Sequence, residues 1–217
     1  MTEKYISMRS VGNDRFNDNS KIKAKINFSE NEVKDLIKAW IVLSLSFAVV
    51  LSGFDSVSVF IQMFLISSLT VGTGFLLHEL AHKIVAQNYG CWAEFKAFNF
   101  GLIIAFFMSL FGFIFAAPGA VMINGIVSRE KNGKISLAGP FTNMVLAIIF
   151  LLMSLFSKGF LSTLGNYGFV INSWLALFNL IPIGIFDGAK VLDWSKTAYG
   201  FAAAISITLV FVVPGFL

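Results

Sequence analysis

The chain has 217 residues, of which 57% are hydrophobic and only 13% charged, with 25 phenylalanines and a mean hydropathy of +0.80. That balance excludes an ordinary soluble domain, and nothing in the net charge of +4 points to nucleic-acid binding. The lone Cys91 excludes an internal disulfide.

Residues 1–28 are polar, mixed in charge and without an early apolar run, so they read as a tail before a membrane domain at 29–217. Within the tail, Lys21, Lys23 and Lys25 alternate with Ile22, Ala24 and Ile26. This is the period of a strand, or of a basic segment lying on lipid headgroups. Ser29 and Glu32 have capping-box spacing, which predicts a helix start near Glu30.

Apolar segments follow at about 39–53, 57–77, 101–123, 136–157, 165–186 and 199–217. Several approach the roughly 20 residues needed to cross about 30 Å of hydrocarbon. The expected class is an all-α polytopic membrane protein of five to six transmembrane helices. The first two form a hairpin, and the second helix continues beyond the bilayer core to Gly90. The charged cluster Ser128–Gly133 reads as an extramembrane loop.

The segment 101–123 decides the topology. If it dips into the bilayer and returns, all of the sixteen lysines and arginines except Lys158 share one side. A full crossing would move Lys190 and Lys196 to the other face. The positive-inside rule favours the first arrangement, with a cytoplasmic N-terminus. The break at Ala116-Ala117-Pro118-Gly119 also suits a re-entrant element shielded by protein. Five crossings plus a re-entrant or β-like element is the expectation, and six true crossings the alternative.

The chain's two histidines both fall in Gly74–Gln87, GFLLHELAHKIVAQ, beside hydrocarbon where ionisable groups are rare and usually functional. Four residues apart on a helix, His78 and His82 project from one face, with Glu79 alongside. This is the His-Glu-x-x-His pattern of zinc hydrolases, in which the imidazoles bind metal and the glutamate handles protons. A catalytic zinc takes a third protein ligand, and no histidine remains. Asp55, Cys91, Glu94, Asp187 and Asp193 are the candidates. Asp55 falls at the opposite membrane face, whereas Cys91 and Glu94 follow the motif closely in an expected turn. Asp187 is favoured because Pro182 and Gly184 unwind its segment at the depth of the histidines.

His78-Glu79-Leu80-Ala81-His82, joined to Asn179-Leu180-Ile181-Pro182 and then Asp187-Gly188, resembles the site-2 protease family of intramembrane zinc metalloproteases, peptidase family M50. The resemblance extends to Ala138-Gly139-Pro140 with Asn143, and to Pro118-Gly119-Ala120-Val121, so the shared core spans about 57–190. It implies one Zn²⁺ per chain held by His78, His82 and Asp187. It further implies Glu79 as general base and acid, and Asn179 as a holder of substrate or of its developing oxyanion. Residues Gly119–Asn124 offer a strand edge for an extended substrate, with Gly119, Ala120, Val121 and Met122 as candidate substrate contacts. Asn143 is a further candidate, with a structural role competing. Two departures stand out: a longer apolar insertion around 101–117, and no PDZ-like domain in these residues. The expected activity is hydrolysis of membrane-anchored proteins near the cytoplasmic face, as in regulated intramembrane proteolysis. Competing expectations are a peptidase acting on lipidated C-termini and a metal transporter or sensor, although transporters usually show repeats. Oligomeric state is not legible.

Overall fold

A computed structural model describes residues 26–53, 55–114 and 118–216. The basic alternation at Lys21–Lys25 and the Ala116-Ala117 break lie outside the described residues. Ser29 caps helix α1 (Glu30–Ser52), its hydroxyl accepting the Glu32 N–H at 3.0 Å. The helix starts where the capping spacing predicts, but the Glu32 side chain turns away to other partners. Gly53, at φ 57°, closes α1 in the left-handed conformation that glycine adopts without strain.

Helix α2 (Val57–Ser67), a π turn at Ser68–Gly72 and α3 (Thr73–Asn88) form one continuous rod. The Ser68 carbonyl takes the wide bond from the Thr73 N–H and a second from Trp40 Nε1 of α1 at 3.1 Å. A Cβ at Gly72 would lie 2.6 Å from the Trp40 ring, so only glycine lets the indole seat against the turn.

Strand β1 (Trp92–Ala97) pairs antiparallel with β2 (Gly119–Asn124), from Trp92 opposite Asn124 to Ala97 opposite Gly119. Between them runs the short helix α4 (Asn99–Ser109). The apolar segment 101–123 is therefore a short helix followed by a strand, not one rod. At 11 residues α4 is about 16 Å long, roughly half the hydrocarbon thickness. The fold is mostly helical with a small two-stranded sheet, so the β-like element expected after the histidine helix is present as a β1–β2 pair. β1 occupies the stretch expected to be a turn.

Helix α5 (Arg129–Phe156) begins at a Ser128 cap, so Ser128–Gly133 forms a helix start and not a loop. Glu130 in its first turn suits the positive end of the helix dipole. Helix α6 (Phe160–Asn179) returns antiparallel and ends before Pro182, as the unwinding signals predict. Two further helices follow, α7 (Asp187–Trp194) and α8 (Lys196–Ile207), the latter continuing through π and 3₁₀ turns to Phe216.

Among the described residues, four helices are long and apolar enough to cross a membrane: Glu30–Ser52, Val57–Asn88, Arg129–Phe156 and Lys196–Gly215. α6 has the length, but Asn166, Asn172 and Asn179 dilute its apolarity. Four of the five or six crossings expected from the sequence are thus matched by helices of sufficient length and apolarity among the described residues. α5 lies centrally, against α3, α6 and α7. One apolar core joins α2, α5, α6 and α8 around Ile66, Met144, Phe169 and Leu209. A second joins α1, α3, β1 and α4 around Leu43, Phe75, Phe95 and Leu102. The α5–α6 contact uses small residues, as close helix packing in lipid requires. A Cβ at Gly165 would lie 2.5 Å from the Ser154 nitrogen. Gly165→Val should therefore cost about 1–3 kcal/mol, read as a lower melting temperature in detergent. Gly200→Ala, where a Cβ meets open space, should leave that temperature unchanged.

Candidate metal centre

Because α3 is helical through Thr73–Asn88, His78 and His82 stand one turn apart on its buried face towards α5. Their ring centroids are 4.6 Å apart and nearly perpendicular. The two Nε2 atoms lie 3.0 Å from each other, and Asp187 Oδ2 lies 3.4 Å from His78 Nε2 and 3.1 Å from His82 Nε2. Asp187 is the first residue of α7. A Cβ at Gly188 would fall 2.1 Å from the Leu180 carbonyl oxygen, so this glycine permits the close approach that brings the carboxylate in. The Phe178–Phe186 edge-to-face contact at 5.1 Å pins the intervening turn.

The hydrogen bonds behind the rings select the tautomer of each neutral imidazole. His82 Nδ1 lies 2.7 Å from the Ile135 carbonyl, an acceptor only, so that nitrogen donates. Asn172 Nδ2 donates to the Gly168 carbonyl, which leaves Asn172 Oδ1 to accept from Asn143 Nδ2 at 3.0 Å. Asn143 Nδ2 also donates to the Gly74 carbonyl at 3.2 Å. Asn143 Oδ1 must then accept from His78 Nδ1 at 2.6 Å. In the neutral rings both Nε2 atoms are left with lone pairs facing a carboxylate oxygen. Three buried acceptors converging without a proton between them repel unless a cation joins them.

The spacing suits zinc. Tetrahedral bonds of about 2.0–2.1 Å set ligand atoms roughly 3.3 Å apart, close to the three separations here. Among the described residues, His78, His82 and Asp187 form the group of potential ligands whose donor atoms all lie within 4.8 Å of one another. Gly139 of α5 lies beside them: a Cβ there would fall 2.4 Å from His82 Nε2 and 2.5 Å from His78 Nε2. The remaining ligand candidates lie elsewhere. Cys91 packs in an apolar cluster with Ala86, Ala93 and Ile135. Glu94 accepts from the Ser29 hydroxyl at 3.1 Å, Asp193 pairs with Arg129 at 2.9 Å, and Asp55 lies in the α1–α2 turn.

The centre opens onto a cavity of about 880 Å³. Glu79 is buried on its wall, beside the histidines. β2 forms one side from Gly119 to Ile123, and α6 the other with Val170, Trp174 and Asn179. The Asn179 amide also donates to the Leu175 carbonyl at 2.9 Å. Lys190 enters from α7, its ammonium 3.6 Å from Asp187 Oδ1.

Strand alternation tells which edge of β2 faces this space. The Phe95 and Ala97 N–H groups of β1 point away from β2, to carboxylates of α1. Trp92, Glu94 and Lys96 therefore share ladder bonds with Asn124, Met122 and Ala120. The main-chain groups of Gly119, Val121 and Ile123 are left on the open edge. Met122 and Ala120 side chains point outwards.

Of the residues singled out from sequence, the histidines, Asp187, Glu79, Asn179 and Gly119–Met122 thus border one cavity. Asn143 does so too, but its amide is engaged by His78, Gly74 and Asn172. Sequence reasoning missed Asn172, the Ile135 carbonyl and the steric role of Gly139. An asparagine inside an apolar run was the available signal for Asn172.

Comparison with known proteins finds similarity to a protein of Methanocaldococcus jannaschii named "Putative zinc metalloprotease". The two are 46% identical over 172 residues, covering 77% of this chain and 86% of the relative. A second protein of that organism, named "Zinc metalloprotease", is 27% identical over 122 residues, 54% of this chain and 30% of the relative. No family profile matches the chain, and no solved structure does.

Two substitutions test the centre. Gly139→Ala, which pushes a methyl against both Nε2 atoms, should strip bound metal. Asn143→Ala should weaken zinc about 10–100-fold by freeing the His78 ring. Metal analysis and chelator competition read both.

Proposed function

Starting from a chain that belongs to the zinc metalloprotease family of its M. jannaschii relative, we propose that it is an intramembrane endopeptidase of the site-2 type. It cleaves membrane-anchored proteins near the cytoplasmic face. The observation that carries this reading is the open β2 edge lying across one cavity from α6, with Glu79 and the His78–His82–Asp187 group between them.

The chain crosses the bilayer five times, with α4 and the sheet dipping in and returning to the cytoplasmic side. The shortness of α4 supports this, and the positive-inside rule favours a topology that would leave only Lys158 of the sixteen lysines and arginines on the far side. His78 lies 21 residues beyond Val57, about 32 Å along the rod, a depth that supports chemistry near the cytoplasmic boundary where water is at hand.

A transmembrane substrate keeps its amides inside its own helix and must be extended before attack. The Gly119, Val121 and Ile123 main-chain groups hold it as an added strand. Zinc, when bound by His78, His82 and Asp187, supplies Lewis acidity and makes water a competent nucleophile near neutral pH. The Glu79 carboxylate would take a proton from the attacking water as the water oxygen adds to the scissile carbonyl carbon. It then delivers the proton to the leaving amide nitrogen as the C–N bond breaks. Asn179, across the cavity, offers an amide donor to the carbonyl oxygen as charge develops there. Asn143 serves by holding His78 and does not touch substrate.

Glu79→Gln should keep zinc and lose at least about a hundred-fold in cleavage, as removal of a positioned proton carrier does. Asp187→Ala should lose zinc and cleavage together, as metal analysis beside a cleavage assay would show. A cysteine at Lys131 should react with a membrane-impermeant reagent only from the cytoplasmic side. Labelling from outside would overturn the topology.

A further inference from the structure

The outer edge of β1 is closed, and by charged groups. Glu32 Oε1 accepts the Phe95 N–H at 2.9 Å, and Asp35 Oδ2 accepts the Ala97 N–H at 3.0 Å. Three residues on a helix advance about 4.5 Å and two on a strand about 6.7 Å. The longer glutamate spans the difference. Next along the edge, Gln87 Nε2 donates to the Ala93 carbonyl at 3.3 Å.

The second oxygen of Glu32 pairs with Lys83, which directly follows His82 and is fully buried, as Glu32 is. The Lys83 ammonium also sits 3.9 Å above the Phe28 ring. One line of bonds thus runs from the β1 backbone through Glu32 and Lys83 into the helix that carries the histidines. On the other side, Asp35 pairs with Lys38 at 2.8 Å, and Lys38 reaches Asn99 at the start of α4 at 3.0 Å. A buried ion pair contributes little net stability over apolar residues of the same volume, and its best-attested use is to fix register.

We infer that Glu32 and Asp35 are positioning residues: they close the outer edge of β1 and, through Lys83, fix the height of the sheet against the metal centre. An incoming strand then adds at β2 alone and in one register, so that one bond of the substrate meets the metal. The inference rests on the peptidase reading above and adds to it the device that selects the bond.

The test uses the full chain in liposomes with a mixture of single-span peptides, randomised around the cytoplasmic membrane edge, and cuts mapped by mass spectrometry. Glu32→Ala with Lys83→Met removes the charge pair and frees the Phe95 N–H. Glu32→Gln with Lys83→Met also removes the charges but keeps an oxygen for that N–H. The first pair should retain zinc, spread cleavage to bonds one or two residues away, and lower kcat/KM at the main bond roughly ten- to a hundred-fold. The second should restore the single cut. Asp35→Ala, at a more exposed position, should spread the cuts in the same sense, and it decides the matter if the first pair fails to fold. An unchanged cleavage position in both alanine variants, with cleavage still abolished by Glu79→Gln, overturns the inference and leaves the peptidase reading intact. Absence of Glu79-dependent cuts by the unaltered protein removes that reading, and this inference with it.

Discussion

Three lone pairs meet in a buried corner between α3, α5 and α7. The two imidazoles cannot turn to avoid one another, because the Nδ1–H of each neutral ring donates to a fixed oxygen, that of Ile135 for His82 and of Asn143 for His78. The Asp187 carboxylate closes the third side. Such an arrangement is costly in a low-dielectric interior until a cation enters, and the rest of the fold is organised around keeping it in place.

Much of what surrounds this corner consists of groups defined by what they lack. Gly139 has no side chain where a methyl would touch both ring nitrogens, and Gly188 has none where α7 must press on the end of α6. Pro140 gives up an N–H and leaves the Ser136 carbonyl without its helical donor at the level of the centre. Asn143 and Asn172 supply polarity at α5 and α6, where the helices would otherwise present only hydrocarbon. Fully bonded to each other and to main-chain carbonyls, they add direction without leaving an unsatisfied group.

The local parts of the site were readable from sequence. The cap at Ser29, the histidine helix, the strand at Gly119–Asn124 and the unwinding before Asp187 all depend on neighbours a few residues away. β1 carried a signal that went unread: Glu94 and Lys96 alternate about the buried Phe95, the period of a half-buried strand. The charges of Arg129–Lys134 suggested a loop, although Ser128 and Glu130 together mark a helix start. What could not be read joins distant segments. The 51-residue separation of Glu32 and Lys83, and the pairing of Asn143 with Asn172, leave no local trace. Both arise from packing among α1, α3, α5 and α6. The third ligand was singled out by unwinding, by depth and by resemblance, because no spacing rule links Asp187 to His78 across that much chain.

The π turn at Ser68–Gly72 has its own consequence. It accommodates one residue more than an α turn would, and one residue corresponds to about 100° of rotation. The two ends of the long rod are thereby decoupled in phase: α2 can aim its apolar stripe at α1 and α6 while α3 aims imidazoles at α5. With Trp40 bound to the Ser68 carbonyl and seated against Gly72, this phase is gauged by α1. The angular aim of His78 and His82 is thus set about two turns upstream, by an indole that does not line their cavity.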